Sequence, residues 1–157
     1  MQITAQLASQ IRLLFLDGEW IAPGLRLQVG GLTLAQARQQ VGDLNTILKL
    51  TYHLRYYLGG ILVVMRGGKL AIRDKYSFDH PDLQSEAEWQ AFLAAIWEDA
   101  EALADLVEQM DDVGLYGDFD DAKYGTNYRN LVGMLEHSYY HLGQIALIKK
   151  MVLAQGA

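Results

Sequence analysis

Apolar residues recur at spacings of three and four along four long stretches of this chain, and that rhythm restricts the fold more than any other feature. Ile3, Leu7, Ile11 and Leu14 share one side of a helix predicted over residues 4–17, with Gly18 as its stop. Ile47, Leu50, Leu54, Leu58, Ile61 and Met65 define a longer stripe, from about residue 44 to the Gly67-Gly68 pair. A third stripe runs through Trp89, Phe92, Leu93, Ile96, Ala100, Leu103, Val107 and Met110, while Glu98, Asp99, Glu101 and Asp105 face elsewhere. Ser85 and Glu88 open that helix as a capping box, in which hydroxyl and carboxylate each satisfy a backbone N–H at the helix start. The fourth stretch begins near Thr126 or Asn127 and carries Leu131, Leu135, Leu142 and Ala146, with Lys149 and Lys150 complementing the dipole at its C-terminal end. No segment shows a strong strand signal. The expected fold is therefore all-α, a four-helix bundle with long connections, as a single domain over residues 1–157.

The connections read differently from one another. Residues 19–31 hold Trp20, Pro23 and the Gly30-Gly31 pair, which suggests a link carrying one aromatic anchor, and Thr33 caps a short helix through Val41. Lys69 to Gln84 mixes charges, aromatics and Pro81 without a period and is expected to be a long surface connection with at most a short extended piece. Asp111 to Gly125 reads as an acidic, Gly-containing loop.

Composition removes several function classes. The 157 residues fit one domain of about 100–200, and the absence of Cys excludes disulfides, thiolate ligands and a catalytic thiol from the chain itself. A formal net charge of −6 argues against nucleic acid as a partner, because such binding draws its affinity from Lys and Arg on phosphates. The longest aliphatic run, Ile61 to Met65, is far short of the ~20 residues that cross a bilayer, so no membrane role is expected. No basic segment precedes the short Leu13–Leu16 run, which Arg12 and Asp17 bracket, so no secretion signal is expected either. The expected location is cytoplasmic.

Chemistry concentrates in the histidines. His137 and His141 lie one turn apart in the fourth helix, close enough to share a divalent ion, although such a pair also occurs on ordinary helix surfaces. His53, at the border of the second long stripe, can point into the bundle, and His137 and His141 are expected beside the apolar arc of their own helix. Three histidines on two helices match an open metal site, which leaves a coordination position for water or substrate. Glu136 precedes the pair and projects away from its face, so the zinc-protease pattern is absent and Glu136 has no role. Tyr57 and Gln144, one turn beyond His53 and near His141, are candidates to hold a water or orient a ligand, or else are polar packing. His80 reads as a loop residue, and Tyr56-Tyr57 and Tyr139-Tyr140 as packing residues. Asp118, Asp120 and Asp121 lack the spacing of a calcium loop, and no phosphate loop, dinucleotide fingerprint or nucleophile elbow is present.

Two segments carry a family resemblance. Asn45-Thr46-Ile47 through Leu50, His53-Leu54 and Tyr57, together with Leu135-Glu136-His137-Ser138-Tyr139-Tyr140-His141-Leu142-Gly143-Gln144-Ile145, resemble the second-helix and last-helix signatures of the DinB-like, or YfiT-like, superfamily of four-helix bundle metal-dependent proteins. The resemblance implies that His53, His137 and His141 bind a divalent metal ion, commonly nickel or zinc. It also implies a homodimer, for which an exposed aromatic such as Trp97 would serve. Characterised members include transferases that add low-molecular-weight thiols to other compounds and a thiol-dependent isomerase, and others are known as metal-dependent hydrolases or stress-associated proteins. The implied activity is transfer to a small-molecule substrate with a low-molecular-weight thiol. A hydrolase, or a metal- or ligand-binding protein without turnover, stands as the alternative.

Overall fold

The computed structural model describes residues 2–16, 18 and 22–155, within which the chain forms seven α-helices and no β-strand. Four of them are long: α1 (Ile3–Phe15), α4 (Ile47–Met65), α5 (Glu86–Glu108) and α7 (Asn127–Gln155). α1 and α4 each pack on both α5 and α7, so the order around the bundle is α1, α5, α4, α7. The buried sides of these four helices are the apolar stripes, with Ile11, Leu50, Leu58, Ile96, Leu103 and Ile145 among the residues shut away from solvent. None of the described helices is long and apolar enough to cross a membrane.

Three short helices close the ends and flanks: α2 (Leu25–Val29), α3 (Leu34–Arg38) and α6 (Asp112–Tyr116). α2 forms inside the stretch expected to be a plain connection, because Leu25 and Val29 share one side and bury completely, with α2 packed on α1 and α7. Trp20, the expected anchor there, lies outside the described residues, as do Asp17 and Gly156. α3 ends at Arg38, three residues short of Val41, and opens on a capping box of Thr33 and Gln36. Its first N–H, of Leu34, also donates to both Glu86 carboxylate oxygens at 2.9 Å, which ties it to the start of α5.

Several boundaries differ from the periodicity. α1 stops at Phe15 and α4 starts at Ile47, where the Thr46 hydroxyl accepts the Lys49 N–H. At Ser85 only half of the capping box forms: the hydroxyl accepts from Glu88 N–H, but the Glu88 carboxylate takes the N–H of Gln84 at 2.6 Å. α7 continues well past Lys149 and Lys150, so they do not sit at its C-terminal end. Lys149 Nζ donates to the Leu27 carbonyl at 3.2 Å, and partial burial lowers its pKa. Ala146 is only partly buried, and the stripe beyond Leu142 is carried by Ile145, Ile148 and Val152. The acidic loop after α5 contains α6 and a 3₁₀ turn (Ala122–Tyr124), then a bridge of Asp118 to Thr126 leading into α7. Trp97 is partly buried with the Arg26 guanidinium 5.1 Å over its ring, so it is not the exposed aromatic expected at a dimer contact. Glu101 and Asp105, on the outer side of α5, are drawn to Arg12 of α1 at 2.7 and 2.5 Å, with Glu108 at 2.8 Å.

Trp89 joins the short and long elements. Its ring is fully buried and its Nε1–H donates to the Leu32 carbonyl at 2.8 Å, just before α3. Replacing Trp89 with Phe leaves that carbonyl unpaired in a dry site and opens a void, so urea unfolding should show a loss of about 1–3 kcal/mol with helical circular dichroism retained.

Candidate metal centre

Helical geometry places three imidazoles at the α4–α7 contact. His137 and His141 stand one turn apart on α7, and His53 projects from the facing part of α4. The Nε2 atoms of His53 and His141 each lie 3.0 Å from Nε2 of His137, and one nitrogen from each ring falls within 4.8 Å of the others. His53 and His141 are buried, at 5% and 9% exposure, and His137 is partly open. His141 thus belongs to the buried stripe of α7, not beside it, in line with the small buried Ser138.

The outer nitrogens fix the tautomers. His53 Nδ1 faces the Ser77 carbonyl at 3.2 Å, and a carbonyl only accepts, so Nδ1 carries the proton and Nε2 keeps its lone pair. His141 Nδ1 donates to Gln144 Oε1 at 2.7 Å with the same result. Orientation of one ring nitrogen by such a partner is the usual support of a metal-binding histidine. His137 Nε2 then faces two lone pairs and can offer at most one proton between them. A cation satisfies all three nitrogens, and tetrahedral ligands ~2.0–2.1 Å from zinc stand ~3.3 Å apart, close to the two 3.0 Å separations at His137. The donor set therefore fits a divalent ion.

Aromatic rings wall the cluster. Phe78 stacks on His53 with centroids 4.1 Å apart and planes 9° from parallel. Tyr57 meets His53 and His137 edge-on at 5.0 and 5.1 Å, and its hydroxyl donates to Asp74 Oδ1 at 3.0 Å. Tyr56 grips the same connection, accepting the Arg73 N–H and donating to the Arg73 carbonyl. Tyr139 packs partly against the core, whereas Tyr140 is 65% exposed with its ring edge-on to His141 at 4.9 Å.

Sequence reasoning missed what the 69–84 connection does. It holds no strand, makes a 3₁₀ turn at Asp74–Tyr76, and folds back on α4 so that buried Ser77, half-buried Phe78 and exposed Asp74 reach the histidines and Tyr57. The available signal was the Tyr56-Tyr57 pair one turn from His53, since hydroxyls in a partly buried position need partners. Glu136 is exposed, and His80 bonds back to the Pro81 carbonyl within the connection.

Burial, with the charge of His141, holds the His53 pKa down to about 4, and burial followed by His141 also lowers His137. Both rings are thus neutral, the form that ligates, at neutral pH.

The sequence profile of the DinB superfamily matches residues 25–145, which include all three histidines. No curated protein and no solved structure matches the chain.

The lowered pKa values predict a pH dependence. Below the unfolded value of 6.5 the unfolded chain takes up protons that the folded His53 refuses until about pH 4, so metal-free protein should lose stability as pH falls through that window. Urea midpoints at pH 7 and pH 4.5 measure the loss, which should shrink in His53→Gln.

Proposed function

The chain belongs to the DinB superfamily, and on that premise we propose that His53, His137 and His141 together hold one divalent ion, nickel or zinc, in a metal-dependent transferase that uses a low-molecular-weight thiol. The observation that carries this reading is the approach of the His53 and His141 Nε2 atoms to within 3.0 Å of His137 Nε2, with those two rings oriented from behind by Ser77 and Gln144. When bound, such an ion lowers the pKa of a thiol that reaches it and so favours the thiolate.

The chain's own residues supply the rest. Three neutral imidazoles add no negative charge, so the site favours an anionic sulfur more than a carboxylate-rich ligand set would. The Phe78 ring covers one face of His53 and keeps water from it. Tyr57 keeps its proton, because burial and its bond to Asp74 raise its pKa, so its phenol donates at the edge of the site and takes up none. With no Cys in the sequence, the sulfur comes from a small molecule.

Metal content by plasma mass spectrometry tests the ligand set. His53→Ala, His137→Ala and His141→Ala should each lose most of the metal, and His80→Ala should keep it; equal content in all four variants overturns the assignment. Gln144→Leu frees the His141 ring and should weaken metal affinity by about 10–100-fold. Thiol-dependent consumption of an electrophile by the loaded protein, lost in the same three histidine variants, tests the transferase step.

A further inference from the structure

Beside the imidazoles opens a cleft of about 690 Å³ whose lining includes His137 and Tyr57, within the ~300–1,000 Å³ usual for small-molecule sites. Its walls also carry Arg73, Lys123 and Arg129. In a chain with 13 basic against 19 acidic side chains, three cations on one cleft are out of proportion. The carboxylates near them are in part engaged: Asp74 receives the Tyr57 hydroxyl, and Asp121 lies 3.4 Å from Lys123 Nζ. Arg73 and Arg129 have no carboxylate within ion-pairing distance among the described residues.

The floor of the cleft is laid out along α7. Arg129, Gly133 and His137 repeat at a spacing of four, so they share one side of the helix, with ~12 Å of axis between the first and the last. Gly133, between them, has open space where a Cβ would stand, and Ile72 and Phe119 supply apolar wall. Arg129, the open stretch over Gly133 and the imidazole of His137 follow one another along α7, and Arg73 faces them from the 69–84 connection.

We infer that this cleft takes a small amphipathic anion, its carboxylate or phosphate drawn to Arg129 within the field of Arg73 on the facing wall, its carbon skeleton across Gly133, and its far end beside His137. That the anion is the substrate rests on reading the histidine cluster as the reaction centre; that it binds does not.

Calorimetric titration at low ionic strength with 4-phenylbutyrate, 4-phenylbutyl phosphate and the neutral 4-phenylbutyramide tests it. At least one anion should bind about tenfold tighter than the amide, and 0.5 M salt should narrow the gap. Arg73→Gln combined with Arg129→Gln should bring the ratio close to one, while Arg66→Gln, which removes a charge outside the cleft, should not. Gly133→Leu fills the floor and should weaken all three ligands without lowering the melting temperature, because Leu is the better helix former. Equal binding of both anions and the amide, or a preference that survives loss of both arginines, overturns the inference. Which anion is preferred separates carboxylate from phosphate. Metal content of the same samples keeps the two readings apart. Bound metal without an anion preference removes the cleft proposal alone, and an anion preference in protein that takes up no zinc or nickel removes the metal reading alone.

Discussion

Nitrogen lone pairs that point at one another repel, and the contact of α4 with α7 turns those of His53 and His141 on the His137 Nε2 at 3.0 Å, where one proton can serve only one of them. Both helices also bury apolar side chains in the common core, Leu50 and Leu54 from α4 and Leu142 and Ile145 from α7. The apolar stripes supply the association, and the imidazoles ride on it at a cost that a positive charge between them would offset. Ser138 helps make room, since a small buried side chain between His137 and His141 lets the helices approach with two rings at their interface.

Around that contact the remaining structure acts as support. The 69–84 connection is pinned by Tyr56 and Tyr57, and pinning it brings the Ser77 carbonyl to His53 and the Phe78 ring over the imidazole. At the other side of the bundle Arg12 gathers three carboxylates of α5, and Trp89 and Glu86 anchor α3 and the strand-free segment before it. The Arg12 ion pairs lie at the surface and contribute modestly one by one, whereas the Trp89 and Ser77 bonds are buried. Their effect is to fix which faces of the long helices meet. The electrostatic character of the site follows from the same placement, because burial keeps His53 and His137 neutral while the adjacent cleft gathers Arg73, Lys123 and Arg129.

The long helices were legible in the sequence to within a few residues because the 3.6-residue period of a buried face is written directly in the apolar positions. Boundaries were less so. Ile47 rather than residue 44 begins α4 because a threonine hydroxyl was available to cap it, and α7 outruns Lys149 and Lys150 because Met151, Val152 and Leu153 continue it. α2 was invisible because two buried residues in five make too short a period to detect. Of the site, the three histidines and the nearby Tyr57 and Gln144 could be named from spacing and resemblance, since each lies on a helix whose face the pattern defines.

By itself, then, the sequence determined an all-helical chain, the residues each long helix buries, a chain without thiols, and the three imidazoles that helical spacing can bring to one side. Only the tertiary structure decided which nitrogens converge, that Ser77, Phe78 and Asp74 come from a segment without any period to stand against them, and that three cations share a cleft with His137. The physical reason is range. A buried helical face repeats within four residues and is recorded locally, whereas these contacts join residues tens of positions apart through packing that no local pattern encodes.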